Sequence, residues 1–163
     1  MLRHVRRKET DAPTGRERLV DRMRARGVRI TEQRRVIADL LEDAEDHLDA
    51  DTVYRLASRR DPRIHRATVY RTLNRLKKLG LVDELDLMHV EGERHYYEIR
   101  PRSFHVHLVC LACGRVDEPS GTFFEDLERR MLDEIGFRSE VARMEVGGRC
   151  ADCQGRVSAE RKD

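Results

Sequence analysis

Cys110-Leu111-Ala112-Cys113 is answered, after an insert of 36 residues, by Cys150-Ala151-Asp152-Cys153, and these are the 4 cysteines of a 163-residue chain. A two-residue spacer lets both sulfurs of a pair grip one ion. Two such pairs complete a tetrahedral thiolate shell, which structural Zn²⁺ prefers. Two disulfides are the competing reading. The amino terminus, MLRHVRRKET, is charged and has no apolar stretch. We therefore expect no secretory signal, no membrane span, and a cytoplasmic location in which thiols stay reduced. The insert is longer than a compact zinc ribbon needs and has room for a helix and a strand. Zinc would then tie the end of a domain back to its start.

Further possible ligands lie just upstream. His105-Val106-His107 precedes the first cysteine pair, and Glu98 sits a little before it. These side chains are surplus to a closed thiolate shell. On a strand, positions 105 and 107 project from one face. Glu98 lies across a hinge expected at Pro101-Arg102-Ser103. His47 is far away in sequence, in a loop between two expected helices. By spacing alone His47 is an ordinary surface histidine, and paired histidines on an exposed strand also occur without metal. His4, His65, His89 and His95 read as surface residues.

Hydrophobic residues make up 39% of the chain and charged residues another 39%, with no Trp and 5% aromatics. Two small cores with charged surfaces fit that balance better than one large core. The net charge of +2 is uneven. Residues 1–100 carry 23 Lys/Arg against 19 Asp/Glu, and residues 101–163 carry 10 against 12. Within residues 63–78, Arg63, Arg66, Arg71, Arg75, Lys77 and Lys78 occur with no acid. Such a stretch is either a phosphate-facing surface or a solvated helix face.

Four helices are predicted first. Thr14-x-x-Glu17 reads as a capping box and Gly27 as a stop, giving a helix over 15–26. Thr31 caps a second helix with Val36, Ile37, Leu40 and Leu41 on its apolar stripe. Asp49 caps a short third, ended by Asp61-Pro62. The fourth runs from about Arg66 to Leu79, with Val69, Leu73 and Leu76 inward and a stop at Gly80. Strands over 81–87 and 94–99 follow, turning at Glu91-Gly92-Glu93. Helices followed by a hairpin describe a winged helix-turn-helix. Beyond the hinge we expect a strand over 107–110, a helix over 123–135 and a strand over 139–146.

In a helix-turn-helix the second helix enters the major groove. The helix from Arg66 fits that part. Ala67 permits close approach, Thr68 and Tyr70 offer hydroxyls, and Arg71 reaches a guanine edge or a phosphate. A helix-surface tyrosine also commonly packs on a neighbouring helix, so Tyr70 has two readings.

Three stretches resemble motifs of the ferric uptake regulator family. Ala67-Thr68-Val69-Tyr70-Arg71-Thr72-Leu73 resembles its recognition helix. Arg29-Ile30-Thr31-Glu32-Gln33-Arg34-Arg35 resembles the start of its second helix. His105-Val106-His107-Leu108-Val109-Cys110-Leu111-Ala112-Cys113-Gly114 resembles its metal signature. The resemblance covers roughly residues 15–153. It implies an α+β chain: a basic flexible tail (1–14), a winged-helix DNA-binding domain (15–100), a hinge (101–103), a small α/β dimerisation and metal-binding domain (104–155) with a structural four-cysteine zinc site, and a flexible tail (156–163). It implies a homodimeric, metal-dependent transcriptional repressor on double-stranded, palindromic DNA, with no membrane partner. Tyr70 and Arg71 would read the major groove with Arg66, Ala67 and Thr68 nearby, and Arg29 would approach the minor groove. The regulatory metal would be held by His47, Glu98, His105, His107 and Glu118, a nitrogen and oxygen shell suited to Fe²⁺, Mn²⁺ or Zn²⁺. A further site present in many members maps here to Phe104, Val106, Glu125 and Ala142. Only Glu125 can ligate, so that site is expected to be absent.

Glutamates at 98 and 118 and the lack of a fifth cysteine favour iron over a peroxide- or zinc-sensing role within the family. The competing class is a zinc hydrolase using the histidine and glutamate cluster. It would need an open coordination position and a general base. The chain has no HExxH, activated nucleophile or phosphate loop, so no enzyme is expected. A zinc protein whose histidines bind nothing is the third reading.

Overall fold

Apolar stripes at helical spacing fold the amino-terminal half into four helices: α1 (Leu19–Ala25), α2 (Glu32–Glu42), α3 (Ala50–Arg60) and α4 (Arg66–Lys78). The computed structural model describes residues 6–7, 17–44, 46–90, 92–100, 105–119, 123–140 and 142–154. The strands are β1 (Arg6–Arg7), β2 (Leu48–Asp49), β3 (Val82–Leu85), β4 (Tyr96–Ile99), β5 (Val106–Cys110), β6 (Val116–Glu118) and β7 (Met144–Gly148). Helix α5 (Phe123–Ile135) and a 3-10 turn at Leu87–His89 complete the elements.

Two of the expected caps form. The Thr31 hydroxyl accepts from the Arg34 N–H at 3.3 Å and the Asp49 carboxylate from the Thr52 N–H at 2.6 Å. Each stabilises its helix by about 1 kcal/mol. Helix α1 differs from expectation. It begins at Leu19, and its flanking Arg18 makes no side-chain cap. The Leu19 N–H instead donates to Glu42 Oε1 at the end of α2, at 2.5 Å. The capping box expected from Thr14 lies outside the described residues.

The chain divides into two compact units. The helical unit comprises Pro13–Asp86 and Glu93–Arg100. Its core buries Met23, Ile37, Val53, Ala57, Val69, Leu73, Leu76 and Leu81 completely. Each large side chain among these contributes on the order of 1.5–3 kcal/mol by leaving water. An antiparallel sheet of order β2-β4-β3 closes one side, in the register Leu48↔Tyr97, Asp83↔Glu98 and Glu84↔Tyr97. Gly80 ends α4 at φ 61°, and a Cβ there would meet the Arg100 guanidinium at 3.0 Å. The left-handed backbone is what calls for glycine here, since the guanidinium is the flexible end of a side chain.

The sheet unit comprises Met1–Ala12, Leu87–Gly92 and Pro101–Asp163, with strand order β1-β6-β5-β7. β5 is antiparallel to β6 and parallel to β7. A parallel pair needs a crossover, and α5 lies in that connection. Among the described residues, the buried apolar side chains of this unit other than cysteine are few: Leu87, Val106, Val109, Val116 and Phe124. On α5 the stripe Phe124, Leu127, Met131 and Ile135 has helical spacing, yet Leu127 is 40% and Ile135 73% exposed. An apolar stripe left exposed in this way is the kind of surface that marks protein–protein contacts.

Several boundaries move. The strand expected over 139–146 forms at Met144–Gly148. A Cβ on Gly147 would crowd Leu111 and Met88 at 3.1 Å, so glycine lets those side chains lie across β7. Arg6–Arg7 pair with β6, where a loose tail is expected over 1–14. Strands β2 and β6 are too short to leave a periodic signal. The turn of the expected wing, Leu87–Gly92, belongs to the sheet unit. Leu87, Met88 and His89 are left-handed there (φ 45°, 57° and 53°). This costs about 1–2 kcal/mol per residue. Burial of Leu87 and a 2.9 Å hydrogen bond from the Met88 N–H to Glu145 Oε2 offset the cost.

Candidate metal centres and nucleic-acid face

Strand β5 ends at Cys110, the following turn carries Cys113, and a helical turn at 151–154 follows Cys150 and carries Cys153. All four sulfurs lie within 4.8 Å of one another, and none forms a disulfide. Cys113 Sγ and Cys150 Sγ are 3.8 Å apart. A tetrahedron with Zn–S bonds of about 2.3 Å has edges of about 3.8 Å, so the donor set fits that ion. Burial opposes ionisation of Cys110, but the N–H groups of Cys150, Ala112 and Cys113 aimed at its sulfur bring its pKa down to about 6. Hydrogen bonding to Cys150 and Cys113, together with burial, pushes Cys153 up to about 12. A dication that displaces the remaining protons satisfies all four sulfurs at once. Arg115 is a part of this centre that the sequence did not reveal. Its guanidinium donates to Asp117 at 3.0 Å and to Asp152, between the second pair of cysteines, at 2.9 Å. It thereby joins the two cysteine loops.

The remaining candidate ligands form one group in each unit. In the helical unit, β2 pairs with β4, and the register Leu48↔Tyr97 sets His47 opposite Glu98. His47 Nε2 lies 3.3 Å from Glu98 Oε2, with the side chains 4% and 8% exposed. In the sheet unit, His105 just before β5 and His107 within it lie side by side. Their Nε2 atoms are 3.1 Å apart and their rings meet edge to face at 71°. Pairing of β5 with β6 brings Glu118 Oε1 to 4.0 Å from His107 Nε2. Both groups combine imidazole with carboxylate, a donor chemistry suited to Fe²⁺, Mn²⁺ or Zn²⁺.

Helix α4 buries Val69, Thr72, Leu73 and Leu76 and exposes Ala67, Tyr70 and Arg71, with Thr68 half-buried. Tyr70 is 43% exposed. Arg66 is exposed but held from α3, by an ion pair to Asp51 and by the Tyr54 ring 5.0 Å away. Arg29 is exposed just before α2, where its carbonyl accepts from Arg34 at 2.7 Å. The basic stretch is not uniform. Arg63 pairs with Asp61 and Lys77 with Glu84, whereas Arg71, Arg75 and Lys78 make no ion pair among the described residues. Lys77 is 38% exposed and its ammonium is paired with Glu84, which follows it across the Gly80 turn.

A winged-helix unit offering cations without ion pairs among the described residues, followed by a sheet unit with a tetrathiolate centre and a histidine pair beside a carboxylate, is the build of a metal-responsive DNA-binding regulator. The Ferric uptake regulator family model matches residues 25–147. The chain is 41% identical to the ferric uptake regulation protein of Rhizobium leguminosarum bv. viciae, over 76% of this chain and 84% of that protein. Among solved structures, a zinc-bound manganese uptake regulator is 38% identical, covering 82% of this chain and 99% of that one at a TM-score of 0.63. The ferric uptake regulator from Pseudomonas aeruginosa with manganese is 27% identical, covering 81% and 97% at a TM-score of 0.71. The chain belongs to the ferric uptake regulator family. It is a metal-responsive transcriptional regulator and not an enzyme, and regulators of this family bind DNA and act as dimers. No helix among the described residues is long and apolar enough to cross a membrane.

Proposed function

We propose that this protein is a cytoplasmic, Fe²⁺-dependent repressor in which Cys110, Cys113, Cys150 and Cys153 hold a permanent Zn²⁺. The regulatory ion is shared by His47 and Glu98 from the helical unit and by His105, His107 and Glu118 from the sheet unit. The observation that carries this reading is the incompleteness of each group. One unit offers an imidazole and a carboxylate 3.3 Å apart, and the other offers two imidazoles 3.1 Å apart with a carboxylate beside them. Together they supply five donors. An ion held by both fixes α4 relative to the dimer core, so two α4 helices match the half-site spacing of a palindromic operator. Release of the ion frees the helical units and the match is lost. The test is an anaerobic DNA-binding titration with Fe²⁺, Mn²⁺ and Zn²⁺ on protein retaining only its thiolate zinc. A response to none of the three sinks the proposal. Manganese is the second reading, supported by the similarity to the solved manganese uptake regulator.

In this reading Tyr70 and Arg71 contact base edges, Arg66, Ala67 and Thr68 line the approach, and Arg29 reaches the minor groove. Arg71→Ala should weaken binding to a preferred duplex by about tenfold or more, as loss of a bidentate guanine contact does. Lys78→Ala should lower affinity for every duplex and reduce the slope of log K against log salt by about 0.9. Identical behaviour of the two variants would contradict the groove assignment.

The exposed stripe on α5 suits the second copy. Leu127→Asp combined with Ile135→Asp should shift the protein to monomer in sedimentation while zinc content stays unchanged. A dimer of wild-type stability would show that the contact lies elsewhere.

A further inference from the structure

Lys77 shares a face of α4 with Tyr70, two helical turns away. Its ammonium lies 2.5 Å from Glu84 Oε2 on β3, and the Tyr97 hydroxyl on β4 donates to Glu84 Oε1 at 2.9 Å. Both carboxylate oxygens are therefore engaged, one by the helix and one by the adjoining strand. Glu84 and Tyr97 are directly opposed in the β3–β4 register, and Tyr97 is buried. Burial raises the Glu84 pKa, but the hydrogen bonds from Lys77 and Tyr97 outweigh it and hold the carboxyl below its ordinary value. The Tyr97 phenol is pushed well above its usual range by burial and then by Glu84, and Tyr70 is near enough to add to that shift. Lys77, the helix end of this set, therefore lies on the same face of α4 as the residue assigned to read bases.

We propose that Lys77 is a positioning residue for DNA reading, which fixes the rotation of α4 on the hairpin through Glu84 and Tyr97 and contacts no phosphate. The idea rests on the assignment of α4 as the reading helix. Arg75 and Lys78 on the same helix have no such tie among the described residues and remain available to phosphates. A helix rotated by a few degrees carries Tyr70 and Arg71 away from their base edges while leaving the total positive charge of the surface intact.

The two roles for Lys77 predict opposite results when Glu84 is changed. If Lys77 binds phosphate, Glu84 competes with DNA for it, and Glu84→Gln tightens binding. If Lys77 positions α4, Glu84→Gln weakens binding to a duplex selected by the wild-type protein from a randomised pool. The experiment compares full-length wild type, Lys77→Ala, Lys77→Arg, Glu84→Gln, the Lys77→Ala/Glu84→Gln double variant and Arg71→Ala, each with the activating metal, across a salt series. We expect about a tenfold loss for Lys77→Ala and for Glu84→Gln, with the double variant no weaker than either single change. Salt slopes should stay at the wild-type value, and Lys77→Arg should recover most of the affinity. Tighter or unchanged binding by Glu84→Gln overturns the proposal. So does a slope for Lys77→Ala lowered by about 0.9, the signature of a lost phosphate contact. If Lys77→Ala does not fold, Glu84→Gln and Lys77→Arg still decide it. Wild-type affinity in Arg71→Ala would sink the reading-helix assignment itself, whatever Glu84→Gln does.

Discussion

Cys110→Ser should yield a protein that retains no zinc after dialysis, does not dimerise and has lost the sheet unit's cooperative melting transition. Among its described residues the sheet unit buries only five large apolar side chains apart from its cysteines, so hydrophobic burial alone gives it little margin. A structural Zn²⁺ in such a unit contributes on the order of 10 kcal/mol, comparable to the whole stability of a small domain. Cys110 is tied to both cysteine loops. Its sulfur accepts the Cys150 N–H at 3.3 Å, and its own N–H donates to the Arg115 carbonyl at 2.8 Å, so one residue holds both cysteine loops. The helical unit, with its separate core, should keep its helical signal by circular dichroism. A zinc-free Cys110→Ser dimer that melts like wild type would contradict a structural role for the thiolate centre.

His47→Ala should leave a folded, zinc-loaded dimer that no longer responds to the regulatory metal. Coupling between an effector and a distant ligand typically amounts to about 5–150-fold in affinity. We expect that gain on DNA to fall to less than about twofold, with metal-free DNA affinity unchanged. Glu98 then keeps its place on β4 but loses the imidazole 3.3 Å away. Glu98→Ala should behave in the same way, since either change removes a ligand contributed by the helical unit. His105→Ala should reduce metal affinity from the other side. A normal metal response in His47→Ala means that the shared ion does not exist.

How much of the fold could be read from the chain depends on how local each signal is. Thr31 and Asp49 act on N–H groups three residues ahead, and both caps form as read. Gly80 stops α4 because only its own φ is at issue. The N–H of Leu19, the first residue of α1, is satisfied by Glu42, 23 residues away in the sequence, and no local pattern announces that bond. Strands β2 and β6 have two and three residues, too few for an alternating pattern, and they exist only because β4 and β5 offer them partners. These short strands also set the candidate ligands. Without β2, His47 is an ordinary loop histidine. Paired with β4, it lies opposite Glu98.

The cysteine spacing and the order of the motifs determined by themselves the four-thiolate cluster, helix α4 and the family, because each is written in neighbouring residues whose geometry the backbone imposes. Tertiary structure alone decided which charges are spent internally. Lys77 and Arg71 are alike in sequence as basic residues on one helix, yet Glu84 ties the first to the hairpin and leaves the second exposed. The reason is physical: an ion pair depends on distance through space, and chain folding across Gly80 brings Glu84 to one of these cations and not to the other.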